Sequence, residues 1–333
     1  MTTLDTIYSP IQSSLTQLEK QLHSFEKNLS ELTDSDTNPI KFNLNEGKKI
    51  RAALLLFSSG VTTPSDPVIE TATAVELIHF ASLVHDDILD QESERRGEKP
   101  LYKQLSTKKS LLLGDYILTK ALQDIPDTIY IKASKALLSI ISEMCVGEFS
   151  QLSMKEEAIQ QTQYRQNYYD VNFKKTALLF GKVCFIGSLF NTTLNDEGNQ
   201  AFMRFGEHFG MAFQFLDDTL EIIQQLNGET NIHVFDAAQG IVTLPYLNYA
   251  ENILRLQTTE AFSQFKIDLK DPVKLQDIHQ SMKRERIFDS VVTVIQTYIA
   301  NAKRSLSHFD GPLTLNLFQI ADYIDQKSQK LCL

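Results

Sequence analysis

The stretch AVELIHFASLVHDDILDQESERRG, residues 74–97, decides the fold, because it joins an apolar helix, three aspartates and two arginines without a break. Asp86 and Asp90 are four residues apart and share one helix face, with Asp87 a step round, and the approach from Val75 to Ile88 is strongly apolar. Like charges so close repel unless a cation sits among them, and hard carboxylate oxygens suit Mg²⁺. The same i, i+1, i+4 spacing returns in AFQFLDDTLEII, residues 212–223, as Asp217, Asp218 and Glu221. One such cluster can be a solvated acidic face. Here exposure would strand Leu83, Val84, Ile88 and Leu89 on one helix and Phe213, Phe215 and Leu216 on the other in water. Two clusters, each at the polar end of a core-like helix, point to a pair of facing metal sites.

Composition narrows the class. With 13 glycines, 9 prolines and no tryptophan in 333 residues, and every proline falling where the apolar periodicity lapses, the chain reads as all-α, a single large helical domain over 1–333. A formal charge of −10 excludes nucleic acid as a partner, since binding a polyanion through phosphates calls for a basic surface. Cys145, Cys184 and Cys332 are odd in number and far apart, fitting neither a disulfide framework nor a zinc pattern, so a reduced, cytoplasmic setting is expected. The start, MTTLDTIYSP, has no basic or apolar leader region, and the most apolar stretch, TALLFGKVCFIGSLF, is interrupted by Lys182, which predicts a soluble protein.

Along the chain, residues 1–34 form an amphipathic helix whose seam runs through Ile11, Leu15, Leu18, Leu22, Phe25, Leu29 and Leu32. The segment NEGKKIRAALLLFSSG is a glycine-led basic turn entering an apolar helix that stops at Gly60. Asp66-Pro67 supplies a cap and first-turn proline for the central helix, which ends near Gln91, and ESERRGEKPLYKQ follows as a polar loop. Two helices are expected over Tyr164 to Leu179 and Gly181 to Phe190, and a long one over Glu197 to Gln225. A polar loop covers Leu226 to Val242, and amphipathic helices continue to Leu331.

Basic residues gather at Lys48, Lys49 and Arg51, at Arg95 and Arg96, and at Lys174 and Lys175. Beside acidic metal clusters these favour a diphosphate ligand, gripped bidentately by Arg and as a point charge by Lys. The series GKKIR, ELIHFASLVHDDILDQESERRG, GDYIL, GEFSQL, KTALLF, GMAFQFLDDTLE and TLP, within residues 45–250, resembles the trans-isoprenyl (polyprenyl) diphosphate synthases, with the pattern of the long-chain enzymes or their large catalytic subunit. The resemblance implies an isoprenoid synthase fold around a deep central cavity. It implies head-to-tail condensation of isopentenyl diphosphate onto an allylic diphosphate, for a quinone side chain. By position, Asp86, Asp87, Asp90, Asp217, Asp218 and Glu221 would hold Mg²⁺; Lys48, Arg51, His79 and Arg96 would bind isopentenyl diphosphate. Arg95 and Lys175 would grip the allylic diphosphate, and Thr176 and Gln214 would lie near the developing carbocation. A homodimer is implied, with a heterodimer carrying a small subunit as the alternative, and delivery of the apolar product to a membrane.

Ala74, Ile78, Ala81 and Ser82 fall in one stripe at ~100° per residue on the helix leading to Asp86, and each turn advances ~5.4 Å, close to one isoprene unit. Short-chain relatives close this stripe with aromatics; here it is open, and a growing chain should stop at Ile78 or deeper, at Met144 or Phe149. The chain departs from the family in Glu221, usually Asp, in Tyr102, often His, and in Asn231 and Ile241, where relatives carry lysines. These last losses weaken the allylic subsite unless Lys175, Arg95 and metal compensate, though the large subunit of two-component long-chain synthases is similarly relaxed at the second position, so they do not by themselves imply inactivity; the second reading is a non-catalytic or regulatory partner subunit. Glu76-x-x-His79 also resembles half of a di-iron bundle site, but no second such motif exists. The basic isopentenyl site argues against a terpene cyclase.

Overall fold

A computed structural model describes residues 3–33, 40–60, 63, 65–94, 97–127, 129–228, 236–309 and 311–331. Among these the regular elements are all helical: α1 (Leu4–Tyr8), a 3₁₀ turn (Ser9–Ile11), α2 (Gln12–Thr33), α3 (Ile50–Ser59), α4 (Asp66–Leu89), α5 (Leu101–Gln104), α6 (Thr107–Gln123) and α7 (Tyr130–Glu156). Then come α8 (Gln161–Asn172), a π-helical segment (Phe173–Ala177), α9 (Leu178–Ser188) and α10 (Asp196–Leu226). The chain closes with α11 (Leu244–Asn252), α12 (Thr259–Asp268), α13 (Pro272–Arg284), α14 (Ile287–Ser305) and α15 (Pro312–Gln329). The chain divides into two compact units, one of Met1–Leu138, Val183–Gln200 and Gly311–Leu317, the other of Ser139–Lys182, Ala201–Asp310 and Phe318–Leu333.

In the first unit α4 is the central element, packed against α2, α3, α5 and α6. A helix with neighbours on so many sides must be apolar nearly all round, and Val68, Ile69, Ala72, Ala74, Val75, Leu77, Ile78, Ala81 and Val84 are all buried. That composition makes α4 long and apolar enough to cross a membrane, which the reading of the sequence did not foresee, yet 67% of its apolar window is buried inside the protein. Pro67 sits in its first turn, with Ser65 rather than Asp66 at the cap position. The helix ends where Gln91 takes a left-handed conformation, φ 52°, and Asp90 N still donates to Asp86 O at 2.8 Å, so all three aspartates keep helical placement. The seam of α2 is buried as expected except for Leu32, which is 55% exposed.

In the second unit the decisive feature is the contact of two helix backbones. A Cβ on Gly206 of α10 would lie 2.3 Å from Phe180 O and 2.7 Å from Gly181 Cα, and one on Gly210 would lie 2.7 Å from Ala177 Cα. Gly206, Gly210 and Gln214 are spaced by four, so this contact face leads one turn on to Gln214 and then to Asp217 and Asp218. Glycine at 181 therefore does not divide two helices. The chain runs from Gln161 to Ser188 through the π segment without interruption, because Gly181 is spent on close packing. Pro100 starts a short α5 inside the stretch expected to be loop.

Gly206→Ala should destabilise the protein by about 1–3 kcal/mol, since the new methyl meets backbone that cannot move aside. Urea unfolding measures this. A stability within 0.5 kcal/mol of the parent, roughly the error of such comparisons, would show that the helices can part at no cost.

Candidate active site

The basic turn before α3 is wound by residues in left-handed conformations, Asn43 at φ 57°, Gly47 at 98° and Lys49 at 49°. Lys49 is buried, and its ammonium donates to Leu44 O at 2.5 Å and Glu46 O at 3.1 Å, so it closes the turn. Lys48 is exposed, its carbonyl held by the Tyr8 hydroxyl at 3.0 Å, and Arg51 is half-buried in the first turn of α3. Glu76 Oε1 accepts from Ala52 N at 3.0 Å, which ties the α3 start beside Arg51 to α4 one turn before half-buried His79. The carboxylate of the supposed iron motif is thus a helix cap.

In the first acidic cluster Asp87 is 4% exposed, whereas Asp86 and Asp90 are half-buried. Gly114 of α6 leaves room for the neighbouring His85, whose Nε2 a Cβ there would approach to 2.3 Å, and Asp115 Oδ1 lies 3.5 Å from the same nitrogen. The GDYIL motif therefore seats the histidine next to Asp86. Tyr102 donates to Glu92 O at 2.8 Å and so fastens the loop that follows the cluster. Ala74, Ile78 and Ala81 are buried and Ser82 is half-buried, donating to His79 O at 2.8 Å. Met144 is half-buried, but Phe149 is 72% exposed. Arg95, Arg96, Asn231 and Cys332 lie outside the described residues.

The second unit brings its predicted residues together. Lys175 forms an ion pair with Glu148 and donates to Gln151 Oε1 at 3.0 Å. Gly147 makes that placement possible, since a Cβ there would come 2.8 Å from Lys175 Cγ. The GEFSQL motif is accordingly the seat of this lysine. Thr176 Oγ1 donates to Gln214 Oε1 at 2.8 Å, and Gln214 Nε2 donates to Asp218 Oδ1 at 2.7 Å. Asp218 is 5% exposed and its Oδ2 also accepts from the Tyr168 hydroxyl. Burial, then the charge of Asp236, pushes the Asp218 carboxyl up to about 8; the same causes in the same order push Glu221 up to about 10. Glu221 Oε1 accepts from Asp236 N at 3.1 Å. Asp217 is exposed. Ile241 is buried, its amide donates to Asp236 O at 2.8 Å, and Val242 N donates to the Tyr164 hydroxyl at 2.9 Å.

Among the described residues no three Asp, Glu, His or Cys side chains come together as a metal site by themselves. A small, hard divalent cation keeps several waters and binds through one or two carboxylates plus substrate phosphates, so two clusters that offer only carboxylate oxygens fit such an ion.

Residues 36–282 match the family described as polyprenyl synthetase. The chain belongs to that family. It is 30% identical over 258 residues to a prenyl transferase of Porphyra purpurea, covering 74% of this chain and 76% of that one. It is 29% identical over 290 residues to heptaprenyl diphosphate synthase component 2 of Bacillus subtilis (strain 168), covering 84% and 79%. The decaprenyl diphosphate synthase from Rhodobacter capsulatus shares the fold with a TM-score of 0.80, at 22% identity over 98% of this chain and 99% of that one. The polyprenyl synthase from Caulobacter crescentus CB15, solved with calcium and isoprenyl diphosphate, gives 0.78 at 22% identity over 97% of each chain. The isoprenoid synthase fold expected from the sequence is the fold of this chain. It is a prenyltransferase of the trans-polyprenyl diphosphate synthase class.

Two residues that touch this constellation were not picked out from the sequence. Asp236 is the aspartate of the DxxxG step that precedes TLP, a signal present in the family pattern itself. Tyr168, by contrast, sits in the buried stripe of α8 with Tyr164 and Val171 and carries no mark to separate it from core.

Lys175→Met should cost about 1–3 kcal/mol of stability, because the Glu148 side chain, 13% exposed, then faces no cation. Adding Glu148→Gln should recover most of that loss and none of the turnover. Urea melts and steady-state rates on the three proteins check this, and full turnover in the double variant would remove Lys175 from the site.

Proposed function

We propose that this prenyltransferase condenses isopentenyl diphosphate head-to-tail onto an allylic diphosphate to make a long-chain, all-trans polyprenyl diphosphate with Mg²⁺ as cofactor, and that its 333 residues serve as one catalytic domain. The observation that carries the reading is the chain of contacts in which Lys175, Thr176 and Gln214 sit one turn from an acidic cluster, beside an ion pair that holds the lysine in place. Bound Mg²⁺ would supply positive charge to the departing diphosphate. Lys175 adds a cation for that diphosphate, while the oxygens of Thr176 and Gln214 present negative dipole to an electron-poor allylic carbon. Lys48, Arg51, His79 and Arg96 would hold the isopentenyl diphosphate, a reading supported by the Glu76 cap that ties the start of α3 to α4, and Arg95 would join Lys175 on the allylic diphosphate. The Caulobacter relative solved with calcium and isoprenyl diphosphate supports a divalent metal and this substrate class.

For product length we take the stripe of Ala74, Ile78, Ala81 and Ser82, which carries no aromatic side chain in the first turn below Asp86, as the wall of the product's path; one unit per helical turn then gives about six to eight isoprene units. Relatives are named for products from geranylgeranyl and geranylfarnesyl through heptaprenyl to decaprenyl, and the heptaprenyl one falls within this range. So apolar a product suits a cytoplasmic enzyme that hands it to a membrane, for a quinone side chain. A homodimer is supported by large apolar side chains left exposed on α6, Leu111, Leu112 and Tyr116, and on α7, Ile131, Leu138 and Phe149. The second reading, a non-catalytic or regulatory partner subunit of a two-component synthase, is favoured by the likeness to a heptaprenyl synthase component and by Ile241, whose buried side chain gives no cation to the loop before TLP.

Incubation of the purified chain with isopentenyl diphosphate, allylic primers of several lengths and Mg²⁺, followed by chromatography of the dephosphorylated products, separates the two. Turnover by the chain alone, lost by about 10³-fold in Asp86→Ala, supports the enzyme; turnover only with an added partner supports the second reading. Ala81→Phe should shorten the product to about three or four units by the same turn count. A parent enzyme that already stops at three would show that the stripe does not line the product's path.

A further inference from the structure

The second acidic cluster holds three carboxylates in three different situations. Asp217 is exposed, Glu221 has one oxygen on the Asp236 amide, and Asp218 is 5% exposed with Oδ2 accepting from the Tyr168 hydroxyl and Oδ1 from Gln214 Nε2 at 2.7 Å. Each oxygen keeps a second lone pair, but a metal ion could reach it only through a packed interior, with both oxygens already held in place by these donors. Tyr168 has little freedom to yield, being 3% exposed, with its ring stacked on Phe215 at 6.0 Å and set edge-on to Tyr169 at 5.9 Å.

We infer that Asp218 is a positioning residue and not a metal ligand, and that Tyr168 is its partner in that role. The pair fixes which way the Gln214 amide faces. Because Asp218 accepts from Nε2, Gln214 must turn Oε1 toward Thr176, whose hydroxyl proton it takes at 2.8 Å. The Thr176 oxygen is then left with its lone pairs for the substrate. Without the carboxylate the amide is free to rotate by 180°, placing N–H groups where the reaction develops positive charge, which reverses the sign of the dipole. Asp217, about 100° round the helix and open to solvent, is the residue of the pair that can reach a metal held by diphosphate.

This inference rests on the metal-dependent prenyltransferase reading, and the experiment keeps the two apart. Calorimetry would follow binding of inorganic diphosphate as Mg²⁺ is titrated, and steady-state kinetics would be run beside it, for the parent, Asp217→Asn, Asp218→Asn and Tyr168→Phe. Asp217→Asn should raise the half-saturating Mg²⁺ concentration by about tenfold or more, one lost charge–charge ligand contact. Asp218→Asn and Tyr168→Phe should leave it within about twofold and lower kcat by about 10- to 100-fold with little change in either KM, the mark of an interaction made in the transition state. The double variant should be no slower than Asp218→Asn, since both act through one path. Tyr168→Phe keeps the ring packing, so it supplies the same two constants if Asp218→Asn does not fold. An Mg²⁺ shift in Asp218→Asn equal to that of Asp217→Asn overturns the inference, as does parental kcat in Tyr168→Phe. Diphosphate binding by the parent that ignores Mg²⁺ overturns the metal reading and the inference with it.

Discussion

The backbone of α10 lies against the run from Ala177 to Gly181 more closely than any side chain on Gly206 or Gly210 would allow, and the placement of the chemistry-bearing groups in that unit depends on it. At that separation Thr176 and Gln214 meet directly, at 2.8 Å, with no room for an intervening water. From there the contacts pass to Asp218 and Tyr168. Glycine supplies no interaction energy of its own here; it sets the spacing at which polar groups on two helices fall within hydrogen-bond reach, and orientation to within a few tenths of an ångström is what a preorganised site requires.

The price of that spacing is electrostatic. Asp218, Glu221 and Asp236 share a poorly solvated region, so burial and mutual repulsion favour protons on Asp218 and Glu221 well above the ordinary carboxylate range. The buried tyrosines around them follow the same rule, Tyr164 and Tyr168 both being raised chiefly by burial. On the other flank the requirement is the opposite one. Lys175 is a cation held in readiness, and Glu148 and Gln151 keep it extended across Gly147 instead of letting it fold into solvent. The chain therefore sets carboxylates and a cation within the same unit, the lysine secured from one short motif and the carboxylates from α8, α10 and the loop before α11.

Much of this was written plainly in the sequence. Helical spacing put Asp86 with Asp90 and Asp217 with Glu221, and the scarcity of glycine and proline gave the helical class, because those signals depend only on periodicity and local backbone preference. Depth is a different matter. Periodicity names a face but not how far it lies under neighbouring helices, so the burial of Asp218 beside exposed Asp217 and the exposure of Phe149 could be learned only from packing. Lys48 and Lys49 are equivalent as letters; the left-handed turn at Lys49 assigns one to structure and leaves the other exposed. Gly181 read as a helix break for the same reason, since a glycine chosen for contact and a glycine chosen for flexibility look alike until the partner helix is seen.

The five residues Phe173–Ala177 carry a consequence for phase. A π turn takes one more residue than an α turn, so the faces of α9 are rotated by about 100° from where a straight continuation of α8 would leave them. Tyr164 can then look toward the loop before α11 while Tyr168, Ala177 and Phe180 look toward α10. One rod thus addresses two partners. Shortening it by a single residue would leave every side chain in the list intact and set half of them against the wrong neighbour, which makes the register of this helix as much a part of the active site as the lysine it displays.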